Sequence, residues 1–317
     1  MGKKKFFSYL AQIVIILVGI GFITFSFTML STEDIAKQLI TGSEDIIVTP
    51  EEIEAVRKEL GLDQPFLVQF GNWVFNAVQG DFGFSYMAKK AVTDKIIECL
   101  PATLYLTATS LIIMLVVSIP LGIMSAVHRN QFIDYIVRIG AFLGASLPGF
   151  WVGLMLLWFF GLKLGWFPII SSNVGFNTVV LPALTLAIAM SAKYTRQVRS
   201  AVLDELNQDY VIGARARGMS EHHILYKEVL PNAILPLLTI FGLSMGSLLG
   251  GSAVVEIVFG WPGLGRLAVD AINYRDFKLL QGIVVWIAFM YMVINITIDL
   301  LYLHFNPIMR KKGNNDE

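Results

Sequence analysis

Few side chains in this sequence could do chemistry inside so apolar a chain. Glu256, Asn295 and Asp299 lie within or beside long uncharged stretches. An acid at such a place is costly unless it faces a cavity or a partner, so each is a candidate for meeting a polar or cationic solute on its way through a membrane. Asn295 and Asp299 stand four residues apart, on one face of a helix. The plainer alternative for both acids is a solvated or ion-paired position near an interface.

Metal and nucleotide chemistry are thinly provided for. The histidines are His128, His222, His223 and His304, and Cys99 is the single cysteine, so no internal disulfide can form. His222 and His223 are adjacent, point to different sides of a helix and read as solvated loop residues rather than metal ligands. No G-x-x-x-x-G-K-[ST] segment is present to cradle ATP phosphates. The chain is therefore expected to be no enzyme and to bind no cofactor itself.

The elements that must position these residues are membrane helices. Of the 317 residues 55% are hydrophobic and 15% charged, unlike an ordinary soluble domain. Six stretches free of Lys, Arg, Asp and Glu are each long enough to span hydrocarbon: Tyr9 to Leu30, Leu100 to Val127, Ile139 to Leu162, Leu164 to Ala192, Val229 to Val255 and Leu279 to Ile298. In the fourth, Trp166, Pro168 and Ser171 to Asn173 read as an outer loop, with the helix from about Thr178. The first follows Lys3 to Lys5, is long for a signal peptide and has no small-residue cleavage site, so it reads as retained.

An inside N-terminus gathers Lys3 to Lys5, Arg129, Lys193, Arg196, Arg199, Arg215, Arg217, Lys227 and Arg310 to Lys312 on the cytoplasmic side, and both termini are predicted there. The layout is a tail and first helix over 1–30, an extracytoplasmic loop over 31–99, a five-helix core over 100–305 with a cytoplasmic loop at 193–228, and a tail over 306–317. Formal net charge is zero and nothing points to a nucleic-acid partner. In the outer loop, Thr49 to about Leu60 and Pro65 to Val78 are predicted short helices, the second carrying Phe66, Phe70 and Trp73 on one face for an interfacial position.

Interior prolines at Pro120, Pro148, Pro182 and Pro236 predict kinks. Gly242, Gly246 and Gly250, four apart, predict a close helix seam, as do Gly140 and Gly144. Between the fourth and fifth spans, Leu203 to Asn207 and Tyr210 to Ala216 suit helices, Gly218 suits a left-handed cap, and Ser220 opens another helix. Tyr210, Met219, Ile224, Leu225 and Tyr226 make that loop partly apolar, as a docking knob would be.

This loop resembles the coupling motif of binding-protein-dependent ABC importer permeases. The residues carrying the resemblance are Asp209, Tyr210 and Val211, then Ala214, Arg215, Ala216, Arg217 and Gly218, then Leu230, Pro231, Asn232 and Ala233. The general family pattern would carry Glu-Ala-Ala before the glycine and Ile before Leu-Pro. The residues here, Ile212, Gly213, Ala214 and Glu228, are closer to the peptide and nickel branch than to sugar permeases. GGSAVVEIVFGWPGLGRLAVDA from Gly250 resembles that branch too, as do Leu60 to Pro65, Gly80 to Ser85 and Leu100 to Leu104.

The resemblance implies an all-α integral membrane protein of six transmembrane helices with the type I ABC importer permease fold, in a bacterial cell membrane. It implies a second homologous permease, two cytoplasmic ATPases that use ATP and Mg, and an extracytoplasmic binding protein. Ala141 to Pro148, followed by Phe150 and Trp151, looks closer to nickel permeases, which favours nickel or a nickel chelate as cargo, with oligopeptide or dipeptide as the alternative. An ATP-independent secondary transporter is a remote alternative, since it would have no use for a coupling loop.

Overall fold

The computed structural model describes residues 3–30, 49–51, 54, 58, 63–171 and 173–305. The predicted helix from Thr49, the motif at Leu60 and the tail from 306 lie largely or wholly outside them. The first elements are α1 (Lys3–Leu30), α2 (Phe66–Val78), an antiparallel pair of β1 (Phe84–Ser85) and β2 (Lys90–Ala91), α3 (Val92–Val127), α4 (Phe132–Ser146) and α5 (Gly149–Leu156), which runs on as a π-helix over Leu157–Lys163. Then come α6 (Phe176–Leu206), α7 (Asp209–Ala216), α8 (Glu221–His223) with a π-helical continuation over Ile224–Val229, α9 (Leu230–Gly251), α10 (Ala253–Phe259), α11 (Leu264–Asn273) and α12 (Phe277–Phe305).

Among the described residues, five helical stretches are long and apolar enough to cross a bilayer: Ala11–Met29, Val92–Val127, Phe176–Leu206, Glu221–Gly246 and Phe277–Tyr302. A sixth arises if α4 and α5 with its π-helical end count as one span. That span is broken rather than kinked, with a 99° bend between Phe132–Ser146 and Gly149–Lys163. Pro148 has no N–H to continue the helix, and its ring drives Leu147 to φ −85, ψ 134. Pro120, Pro182 and Pro236 stay inside their helices.

The described residues form two compact units. One comprises those up to Leu100 with Leu267–Met290, the other Pro101–Arg266 with those from Tyr291. In the first, α2 packs on α1: Phe22 and Phe25 meet Phe66 and Phe70 edge to face with ring centroids 5.3–5.6 Å apart. The aromatic face read as interfacial is thus met in part by α1. Asp276 precedes α12, takes the Leu279 N–H at 3.1 Å as an N-cap, and also accepts from Ser85 Oγ at 2.7 Å and Met87 N at 3.1 Å.

In the second unit α6 is central, packed by α4, α5, α9 and α10. The seam predicted from the glycines forms in part. A Cβ on Gly242 would collide with Ile298 and one on Gly246 with Tyr291, so side chains of the last part of α12 lie against the bare backbone of α9 at these two glycines. Gly250, in the last turn of α9, has no neighbour within 4 Å of its would-be Cβ and does not belong to the seam. Gly144 approaches Ala192 closely, and Gly140 meets open space.

Gly246→Val is expected to overpack this seam and cost about 1–3 kcal/mol, read as a lower Tm of the detergent-purified subunit. Gly250→Ala should leave Tm unchanged or raise it, because the helix gains up to about 1 kcal/mol of propensity without a clash.

Candidate functional site

The segment between α6 and α9 is built as a helix, a glycine turn and a second helix. Gln208 is extended at φ −76, ψ 151 and starts α7. The chain leaves α7 through Gly218, whose φ of +79 is a conformation few other residues adopt without strain. The Gly218 N–H bonds to Arg215 O at 2.9 Å and the Met219 N–H to Ala214 O at 3.2 Å, the paired bonds of a Schellman cap. Ser220 Oγ then accepts from the His223 N–H at 3.3 Å and starts α8. The π-helical stretch leads without a break into α9, where Leu230 and Pro231 form the first turn.

One side of this segment is core. Val211, Ala214, Ile224, Val229 and Ala233 are buried among Val198 and Val202 of α6 and Met114 of α3, with Met219, Leu225 and Leu230 packed against them. Of the residues read from sequence as a docking surface, Ala214, Met219, Ile224, Leu225 and Leu230 therefore turn inward. The exposed face includes Asp209, Tyr210, Ile212, Arg215, Ala216, Arg217, Gly218 and Tyr226, with Pro231 exposed where α9 begins. His222 lies against Tyr226, ring centroids 4.5 Å apart, and neither adjacent histidine is buried.

Polar contacts hold that face in shape. Arg215 donates Nε to Glu221 Oε1 at 2.7 Å and Nη2 to Oε2 at 3.1 Å, an exposed pair worth at most about 1 kcal/mol but well aligned. The Tyr210 hydroxyl donates to Glu205 Oε2 at 2.7 Å. Burial and that bond push the phenol up to about 12, so Tyr210 stays a neutral donor at physiological pH.

A buried ion pair, which the sequence reading missed, underlies the segment. Asp134 is fully buried and accepts four bonds: Arg199 Nε and Nη2, each at 2.8 Å, Ser125 Oγ at 2.6 Å and the Asn130 N–H at 2.9 Å. The turn between α3 and α4 is thereby tied to α6 ten residues ahead of α7. In the sequence Arg199 reads only as one of the charges that set orientation. A separation of 65 residues hides the pair from any local pattern.

Glu256 is buried in a knot of its own. Its carboxylate accepts from Ser252 Oγ at 2.9 Å, the Arg266 N–H at 2.8 Å and Thr103 Oγ1 at 3.4 Å, while Thr103 Oγ1 accepts from the Leu264 N–H at 2.7 Å. Trp261, fully buried, donates Nε1 to Ala102 O at 3.0 Å. A Cβ on Gly263 would stand 2.5 Å from Glu256 Cδ, and one on Gly265 2.7 Å from Ala253 Cα, which explains the small residues of G-W-P-G-L-G. Two motifs noted separately in the sequence, Leu100 to Leu104 and Gly250 to Ala271, meet here. The expectation that Glu256 faces a passing solute finds no support in this conformation, because its donors belong to α3, to the residue before α10 and to α11. Asn295 is half-buried and Asp299 exposed, one turn apart on α12.

Five or six apolar spans among the described residues and a structured loop packed into the core define a multi-pass α-helical membrane protein. A family model described as "Binding-protein-dependent transport system inner membrane component" matches residues 118–311, and the N-terminal model of that component matches 5–107. The chain belongs to this family and is a multi-pass permease of the bacterial inner membrane. It is 41% identical over 275 residues to the glutathione transport system permease protein GsiC of Escherichia coli K12, covering 87% of this chain and 89% of the relative. The same values hold for GsiC of Shigella dysenteriae serotype 1. The fold is similar to that of the inward-facing MetNI methionine ABC transporter, TM-score 0.55 at 20% identity, covering 67% of this chain and 96% of that one.

Asp134→Ala leaves the Arg199 guanidinium without its carboxylate and should cost about 3 kcal/mol, the low end for a broken buried pair because Arg199 reaches solvent. The double change with Arg199→Met should recover much of that Tm loss. Glu256→Gln turns an amide N–H2 toward donors and should cost about 1–3 kcal/mol, with uptake falling only as folded subunit falls. Lost uptake at unchanged Tm would instead give Glu256 a direct part in transport.

Proposed function

We propose that this permease forms the path of an ATP-driven importer for a small peptide-like solute of the glutathione type. The observation that carries the reading is the 41% identity, over 87% of the chain, to glutathione transport permeases. It moves the preference away from nickel, the cargo that the Ala141 to Pro148 resemblance favours. Nickel or a nickel chelate is the second reading, on that segment alone.

In the proposed assembly the chain pairs with a similar permease, its termini are cytoplasmic, and two ATPases seat on the exposed faces of the coupling segments. An extracytoplasmic binding protein hands over the cargo. Tyr210, Ile212 and Tyr226 supply the apolar contact and Arg215 and Arg217 the charge, around a turn whose shape Gly218 sets. ATP binding can bias the path only through contacts made differently in its two states, and by reciprocity the state of the path then alters the ATPases. A segment whose inner face is core can carry that bias to α6 and α9, as a solvated tether could not.

Uptake of labelled glutathione, of a dipeptide and of nickel, in cells with and without this chain, tests the cargo. Loss of glutathione or dipeptide uptake with nickel uptake intact is the expected result, and loss of nickel uptake alone would reverse it. Gly218→Arg, which strains a left-handed position and adds bulk on the docking face, should abolish uptake and its stimulation of ATP hydrolysis while membrane insertion persists. Normal uptake by that variant would remove the segment from coupling.

A further inference from the structure

Beside the Asp134 and Arg199 pair, α4 and α6 border an open cleft of about 550 Å³ into which Arg138, Arg196 and Arg199 all open, far more room than the roughly 30 Å³ of one water. Arg199 is neutralised by Asp134, with both carboxylate oxygens engaged. Arg138 and Arg196 are exposed, and among the described residues neither has an acidic partner. Arg138 is held over the Tyr135 ring, 5.8 Å from its centroid. Two like charges kept in one cleft repel each other, and an anion between them relieves the cost.

The remaining lining narrows the anion to a class. Tyr135, Arg138, Ile139 and Phe142 recur at helical spacing and share one face of α4, and Ile139 and Phe142 are 59% and 66% exposed. Along a helix that enters a bilayer, this order runs from an aromatic and a guanidinium at headgroup depth to bare apolar side chains one turn deeper. We propose that the cleft binds an anionic phospholipid, its headgroup phosphate between Arg138 and Arg196 and an acyl chain along Ile139 and Phe142. A basic pocket between membrane helices suits such a headgroup, and a soluble anion would have no use for the apolar lower half. A lipid seated there bridges α4 and α6 next to the ion pair that braces the coupling segment.

The test uses the assembled transporter, purified in detergent, stripped of lipid and titrated with phosphatidylglycerol, phosphatidylcholine or inorganic phosphate, with bound lipid counted by native mass spectrometry and Tm measured in parallel. Phosphatidylglycerol should bind in preference and raise Tm, and the double change Arg138→Gln with Arg196→Gln should reduce that preference roughly tenfold. Phe142→Ser should weaken phosphatidylglycerol binding while leaving both arginines in place, and Arg138→Lys with Arg196→Lys should retain much of it if the double Gln variant fails to assemble. Equal binding of the two lipids, an equal Tm rise from inorganic phosphate, or cross-links from residue 138 or 196 to an ATPase subunit would each overturn the proposal, the second in favour of a soluble anion and the third in favour of a protein contact.

Discussion

A backbone N–H or C=O left unpaired in hydrocarbon costs several kcal/mol, and this constraint organises the whole chain. Where the sequence is uncharged and unbroken, helices meet it internally. Departures from helix are met by particular side chains. At the first turn of α11, the N–H groups of Leu264 and Arg266, which have no helical partner, are received by Thr103 Oγ1 and the Glu256 carboxylate. The Ala102 carbonyl takes the Trp261 indole. A buried carboxylate is thus tolerable because it supplies an acceptor that the first turn of α11 lacks.

The same logic explains why the Asp134 and Arg199 pair sits where it does. The turn between α3 and α4 exposes the Asn130 N–H, and Asp134 accepts it while gripping Arg199. A hydrophobic pair of equal volume could be as stable, but it would not fix register between α4 and α6 in this way. Register matters because α6 runs on toward α7, and the inner face of the segment from α7 to α9 shares a core with α6. The segment from α7 to α9 and the end of α6 are one packed body, so a displacement of its exposed face would be carried inward by close packing rather than absorbed by a loop.

Much of this was legible residue by residue. Uncharged runs located most of the spans, because hydrocarbon demands about 20 consecutive apolar residues, longer than a buried core helix or a signal peptide needs. Gly218 and Ser220 announced the turn and the cap through local backbone chemistry, and both behave as expected. The α6 helix begins at Phe176, two residues from the expected Thr178. Pro148 was legible as a defect but not in degree, since a kink and a 99° break begin with the same missing N–H and differ in what packs around them.

The sequence by itself therefore determined the membrane class, most of the spans, the shape of the turn at Gly218 and the family, all of which rest on local composition or on contiguous motifs. Tertiary structure alone decided which face of the segment from α7 to α9 is core, so that Met219, Ile224 and Leu225 turn in while Ile212 turns out. It also decided that Glu256 braces a turn, that Gly250 leaves the seam, and that Asp134 finds Arg199 across 65 residues. These outcomes depend on which elements become neighbours, and neighbourhood is set by the packing of whole helices, which no window along the chain contains.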